Sequence, residues 1–171
     1  MDIITKKTFL PLTLFIFALS FGAMLYAESA AEISAEEAME QRQQIVEYSQ
    51  KFLGKGYARG ATGPHSFDCS GLVYAVARES IGLQLPRMSS ALYSFSTKVT
   101  DEQREPGDLV FFKTTGSGSI SHAGIYLGEG KFIHSASDGP QVGVIISSLD
   151  EKYWKAHYAG AGQILPSAYS E

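Results

Sequence analysis

The chain has one cysteine, Cys69, and two of its four histidines, His122 and His134, fall in one short stretch of strand-like pattern. These residue types suit nucleophilic attack on an acyl carbon. A thiol attacks only as the thiolate, and a free cysteine near neutral pH is mostly protonated. Phe67-Asp68-Cys69-Ser70-Gly71 opens an apolar helical pattern. Asp68 is then the expected N-cap, and Cys69 falls in the first turn, where unpaired N–H groups and the helix dipole stabilise the anion. Gly71 is expected to leave room beside the sulfur for a substrate. A lone cysteine also fits the description of a small buried hydrophobe, and the histidines decide between the two. One imidazole accepts the thiol proton, and a second holds its tautomer where Asp or Asn does so in other triads. His65 and His157 read as structural. A zinc site built on Cys69, His122 and His134 has spacings that match no closed structural site, so neither metal nor cofactor is expected.

For the imidazoles to meet, the hairpin carrying them must have the right register. With Gly128-Glu129-Gly130 as a three-residue loop, Leu127 pairs with Lys131 and Gly124 lies opposite His134. His122 is then its diagonal neighbour on the same face, about 7–8 Å away. A two-residue loop is expected to place the histidines on opposite faces. In the three-residue register Ala123, Ile125, Leu127 and Ile133 form a core stripe, and both histidines face the start of the Cys69 helix. A first helix is expected over 35–53, with Ser34 and Glu37 as a capping box and Gly54 as its stop. A loop follows over 54–67. A second helix runs from Cys69 to Ile81 and ends at Gly82, and a short third covers 89–96. Pro106-Gly107 marks a turn, and strands are expected over 109–112, 122–127, 131–135, 142–146 and 163–165. Helices first and strands afterwards predict an α+β domain, a small helical layer packed on an antiparallel sheet.

Composition narrows the function classes. Hydrophobic residues make up 44% and charged residues 19%, enough apolar content for a folded core. Net charge is −4 with no run of Lys or Arg, which argues against nucleic-acid binding. Lys6 and Lys7, an apolar run over 9–25, and small residues at Ala27 and Ala30 have the layout of a secretory signal. Cleavage is expected after Ala27, with an uncleaved anchor as the alternative. Either way the domain is exported to the periplasm, the cell wall or the medium, and no stable membrane association is expected after cleavage. The single cysteine lies too far from the signal for a lipoprotein and has no partner for an internal disulfide.

Four ordered blocks carry a family resemblance: Asp68-Cys69-Ser70-Gly71-Leu72, Pro106-Gly107-Asp108-Leu109-Val110-Phe111-Phe112, Ser121-His122-Ala123-Gly124-Ile125-Tyr126-Leu127-Gly128, and Phe132-Ile133-His134-Ser135. Together they closely resemble the NlpC/P60 cysteine peptidases over about 44–166, and Tyr158 to Leu165 resembles the family's last strand more loosely. The expected organisation is a signal peptide over 1–27, an extension and helix start over 28–43, the catalytic domain over 44–166 and a tail over 167–171. The resemblance implies a papain-like fold and cleavage of bacterial cell-wall peptides, commonly between γ-D-glutamyl and a diamino acid. Cys69, His122 and His134 fall on the family's Cys-His-His positions. Tyr57, in Gly56-Tyr57-Ala58-Arg59-Gly60, matches a family tyrosine whose hydroxyl would join the Cys69 N–H in stabilising an oxyanion. Asp68, Ser70 and Ser121, beside the catalytic positions, are candidates for substrate contact. Two departures concern the substrate subsites. Arg59 and Ala61 replace an aromatic and a glycine of the tyrosine motif, and Met88-Ser89-Ser90-Ala91-Leu92 lacks a glutamine common after Arg87. The implied partner is a peptidoglycan stem peptide, with targeting supplied by the domain itself or by an envelope protein. An N-acetylmuramoyl-L-alanine amidase or an acyl or peptidyl transferase would use the same Cys-His-His site. A non-catalytic peptidoglycan-binding protein is the alternative of another class.

Overall fold

Leu109-Val110-Phe111-Phe112 offers no polar side chain, so a strand made from it is stable only with both faces covered. The computed structural model describes residues 36–165, and those from Ala38 onward belong to one compact unit. The expected signal over 1–27, Ser34 of the capping box and the tail over 167–171 lie outside the described residues. In chain order the elements are α1 (36–50), β1 (Gly56–Tyr57), β2 (Ser66–Phe67), α2 (Cys69–Ile81), α3 (Ser89–Phe95), β3 (Thr97–Val99), β4 (Leu109–Phe112), β5 (His122–Gly128), β6 (Lys131–Ala136), β7 (Gly143–Ser148), α4 (Lys152–His157) and β8 (Tyr158–Gln163). Six of the strands form one antiparallel sheet in the order β3-β8-β4-β5-β6-β7. The architecture is α+β, and β4 is buried along its whole length.

The sheet divides two apolar clusters. On one face Leu72, Val73 and Val76 of α2 pack with Ile45, Phe111, Ala123, Ile125 and Ile133. On the other, Val110, Phe112, Tyr126, Phe132 and Ala161 pack with Trp154 and Tyr158. Helix α1 stops earlier than its sequence suggests. From Lys51 to Leu53 the chain tightens into i→i−3 turns, and Gly54 (φ 78°) turns away. Its N–H donates to the Val144 carbonyl (2.9 Å) while the Val144 N–H donates to the Lys55 carbonyl (2.8 Å). The loop over 54–67 contains the two-residue parallel pair β1–β2, with Tyr57 opposite Phe67. That pairing brings Tyr57 to the threshold of α2.

The β5–β6 turn differs from expectation, yet the register does not. Glu129 (φ 52°) and Gly130 (φ 71°) are both left-handed, as in a two-residue type I′ turn closed by Gly128↔Lys131. The register then shifts between Tyr126 and Gly128, so Tyr126 pairs with Phe132 and Ile125 with Ile133. Leu127 is the extra residue of a bulge. One bulge residue offsets the shorter turn, and the histidines stay on a common face. The last strand also departs from expectation, starting at Tyr158 rather than 163. Ala159-Gly160-Ala161-Gly162 carries no strand propensity, and pairing on both sides, with β3 and β4, makes it extended. Gly162 has a steric use, since a Cβ there would lie 2.2 Å from Ser96 Oγ.

Glutamate in a left-handed turn position costs about 1–2 kcal/mol relative to a right-handed conformation, whereas asparagine tolerates it. Glu129→Asn is therefore expected to stabilise the domain by about 1 kcal/mol, read as a higher urea midpoint with unchanged slope.

Candidate active site

The surroundings of Cys69 are built around the Asp68 carboxylate. As N-cap of α2, its Oδ1 accepts the Gly71 N–H (2.7 Å) and its Oδ2 accepts the Gly60 N–H (2.7 Å). Arg87 donates to both oxygens, each at 2.9 Å. Burial alone would raise the Asp68 pKa, but the hydrogen bonds from Arg87, Gly71 and Gly60 outweigh it and hold the carboxyl below its ordinary value. Ser70 is tied into the same knot, its hydroxyl donating to the Arg87 carbonyl (2.7 Å) and accepting from Arg87 Nη1 (2.9 Å). Gly71 leaves its space to protein rather than to substrate. A Cβ there would meet the Ala61 carbonyl oxygen at 2.1 Å and Arg87 Nη2 at 2.9 Å. So anchored, Cys69 begins α2 half-buried, its sulfur 3.4 Å from Ser89 Oγ and 3.9 Å from the Ser121 carbonyl oxygen. Burial, then the neighbouring Cys69 and Asp68, raise the Tyr57 pKa, so its hydroxyl stays protonated and able to donate. The Ser121 hydroxyl, for its part, accepts from the Thr114 N–H (2.8 Å).

The imidazoles come from β5 and β6. Ile125↔Ile133 pairing carries Gly124 opposite His134, and the missing side chain is essential there. A Cβ on Gly124 would lie 2.7 Å from the Phe132 ring and 3.2 Å from His134 Cβ. Across that gap His122 Nε2 lies 3.0 Å from His134 Nδ1, and His134 Nε2 lies 3.2 Å from Ser147 Oγ on β7. Trp154 of α4 stacks on His122 (centroids 5.1 Å, 29°) and meets His134 edge-on (4.7 Å, 73°). Phe132 stacks on the far side of His134 (4.8 Å). With His134 fully buried and His122 nearly so, burial pushes the His122 pKa down to about 4. Burial, and secondarily the charge His122 would carry, pushes His134 down further. Both are neutral at working pH.

The two halves meet at Ser121. The body of α2 packs on the Ala123 face of the sheet, whereas the histidines lie on the Phe112–Trp154 face. Only the leading end of α2 reaches the strand end, where the Cys69 sulfur approaches the carbonyl of the residue before His122. Among the described residues no hydrogen bond joins Cys69 to His122. Thiol–imidazole contacts are often long before substrate arrives and tighten in the complex. Because His122 Nε2 is engaged by His134, Nδ1 is the nitrogen left for a thiol proton. On the histidine side a cavity of about 630 Å3 opens, lined by Thr114, His122, Asp138, Ser147, Tyr153 and Trp154 among others. No group of three His, Cys, Asp or Glu side chains among the described residues is placed to hold a metal ion.

The sequence profile of the NlpC/P60 family matches residues 54–163. The chain belongs to the NlpC/P60 family. It is 40% identical over 116 residues to the murein DD-endopeptidase MepH of Escherichia coli, a match covering 66% of this chain and 42% of that protein. It is 39% identical over 117 residues to the gamma-DL-glutamyl hydrolase of Bacillus subtilis, covering 68% of this chain and 28% of that one. The chain thus spans less than half the length of these relatives. An NlpC/P60 family protein from Bacillus cereus superposes with a TM-score of 0.66 at 32% identity, over 73% of this chain and 40% of that chain. Within this NlpC/P60 domain, Ser147, Trp154 and Ser89 escaped the sequence reading. Trp154 is the chain's single tryptophan, a signal in itself. Ser147 becomes visible only once β6 and β7 are paired, with Phe132 opposite it.

The buried imidazoles make stability depend on pH. Their folded pKa values lie below the unfolded value of about 6.5, so between the two the unfolded chain binds more protons. This contribution is fully present above about pH 6.5 and is lost as pH falls toward about 4. Asp68, also lowered, acts only below about pH 4, outside that window. The urea midpoint is expected to fall between about pH 7 and about pH 5, and more shallowly in His134→Gln.

Proposed function

We propose that this NlpC/P60 domain is a cysteine peptidase that hydrolyses peptidoglycan stem peptides outside the cytoplasm. One observation carries the reading. A thiol at the open end of α2 lies against the Ser121 carbonyl, and the next residue presents a neutral imidazole backed by a second at 3.0 Å. His122 takes the thiol proton, and the thiolate attacks the amide carbonyl. The Cys69 N–H and the Tyr57 hydroxyl face the oxyanion. The tetrahedral adduct expels the amine, which takes its proton from His122, and the acyl group stays on sulfur. Water, deprotonated by the same imidazole, then releases the acid and free thiol. The leaving amine must be protonated by His122, so the departing residue belongs on the cavity side of the site. Asp68, Ser70 and Ser121 have side chains already engaged with protein groups. We therefore read them as supports of the nucleophile and base rather than as substrate contacts.

The bond we propose is γ-D-glutamyl–diamino acid, supported by the family resemblance and by the name of the B. subtilis relative. The name of the E. coli relative, a murein DD-endopeptidase, favours a second reading, the D-alanyl–diamino acid cross-link. Lys6, Lys7 and the apolar run over 9–25 support export. Among the described residues no helix is long and apolar enough to cross a membrane.

Mass spectrometry of defined muropeptides after incubation with the protein distinguishes the readings. Release of L-Ala-γ-D-Glu, or its muramoyl form, with a peptide beginning at the diamino acid is expected. Cross-linked dimers resolved into monomers with intact stems would identify the DD-endopeptidase, and free lactyl ends would identify an amidase. Cys69→Ala is expected to abolish hydrolysis, and His122→Ala to cost about 10²–10⁴-fold. His134→Ala should retain a fraction, because that ring orients the base without receiving the proton. Wild-type turnover by Cys69→Ala would overturn the assignment.

A further inference from the structure

We propose that Ser147 is a positioning residue for the site, fixing the tautomers of both imidazoles through its hydrogen bond to His134 Nε2. The kinetic half of this inference rests on the peptidase reading. The structural half does not.

Both rings are buried and neutral, so each carries a single N–H. The hydrogen between His122 Nε2 and His134 Nδ1 can belong to either ring. In one arrangement His122 Nε2–H donates to His134 Nδ1. The His134 proton then sits on Nε2 and donates to Ser147 Oγ (3.2 Å), and His122 Nδ1 keeps a lone pair. In the other, the Ser147 hydroxyl donates to His134 Nε2 and His134 Nδ1–H donates to His122 Nε2. The His122 proton is then on Nδ1, and no base faces the thiol. Only the first arrangement can receive a proton at Nδ1 without moving another, and once His122 is an imidazolium it becomes the only one available. An acceptor at position 147 is therefore what the working tautomer needs.

Two further features support the assignment. Ser147 is buried, and His134 is its single side-chain hydrogen-bond partner among the described residues. The sheet also puts it there by register. Phe132 pairs with Ser147 and His134 with Ile145, so His134 and Ser147 share a face at diagonal positions. Without the hydroxyl, the first arrangement leaves a buried His134 Nε2–H with no acceptor between Phe132 and Trp154, whereas the second leaves only an unpaired lone pair, so the balance moves away from the first.

Nitrogen NMR of isotope-labelled histidines in the wild-type protein reads the tautomers directly and needs no substrate. The proton on Nε2 of both His122 and His134 is expected, and His134 protonated on Nδ1 would overturn the proposal. In Ser147→Ala the His134 and His122 signals should shift toward mixed tautomers. In the same variant kcat should fall about tenfold, the size of one lost hydrogen bond, with KM changed less than about twofold. Ser147→Thr, which keeps the oxygen and suits a strand, should restore both readouts. If Ser147→Ala keeps wild-type tautomers and kcat, the residue is merely structural. If the tautomers behave as stated while no wall peptide is cleaved, the peptidase reading fails and the positioning role stands.

Discussion

The Asp68 carboxylate is the contact on which the position of Cys69 depends. Three segments are tied at it: the first turn of α2 through Gly71 and, by way of the Arg87 guanidinium, Ser70; the preceding loop through Gly60; and the segment before α3 through Arg87. A carboxylate that only capped a helix would need one of these. Charge-assisted hydrogen bonds from a bidentate guanidinium are stronger and more directional than neutral ones, so this arrangement holds the start of α2 firmly. The sulfur beside it owes its location to that rigidity.

The imidazole half of the site is held by a different kind of force. Among the described residues no ion pair holds His122 or His134. They are packed by aromatic faces and by a strand register that depends on one glycine and one bulge residue. Burial keeps both imidazoles neutral well below pH 7, which leaves His122 free to accept a proton in the role proposed for it. An ion pair with an acidic orienting residue would raise the pKa of His122. A histidine in that place avoids the effect.

Much of this was legible in the sequence where one local signal settled the matter. Asp68 and Gly82 bracket α2 because an N-cap carboxylate and a left-handed glycine are short-range requirements. The apolar run over 109–112 is a buried strand for an equally local reason. Where the outcome depended on pairing, the β5–β6 register excepted, the sequence was silent or misleading. Nothing near Glu129 announces a left-handed residue, so the turn looked one residue longer and the bulge at Leu127 was invisible. β8 is held extended by neighbours on both sides despite its alanines and glycines. The six residues of α4 are too few to show a period, so the tryptophan they place over the histidines went unplaced. The helix-start sequence around Gly71 suggested open space, and only the fold reveals the Ala61 carbonyl there.

The exchange of hydrogen bonds between Val144 and the Gly54–Lys55 backbone has a bearing on the behaviour of the molecule in crowded surroundings. β7 ends the sheet, and an end strand with free amides is a template on which another chain can dock and propagate. Here the first half of that edge is already occupied by the chain's own loop, and Gly143 sits so close to it that a Cβ would fall 2.3 Å from the Lys55 carbonyl oxygen. Both backbone groups of Val144 are thereby taken from any neighbouring strand. The segment that delivers Tyr57 toward Cys69 thus also shortens the edge that β7 leaves open to another strand.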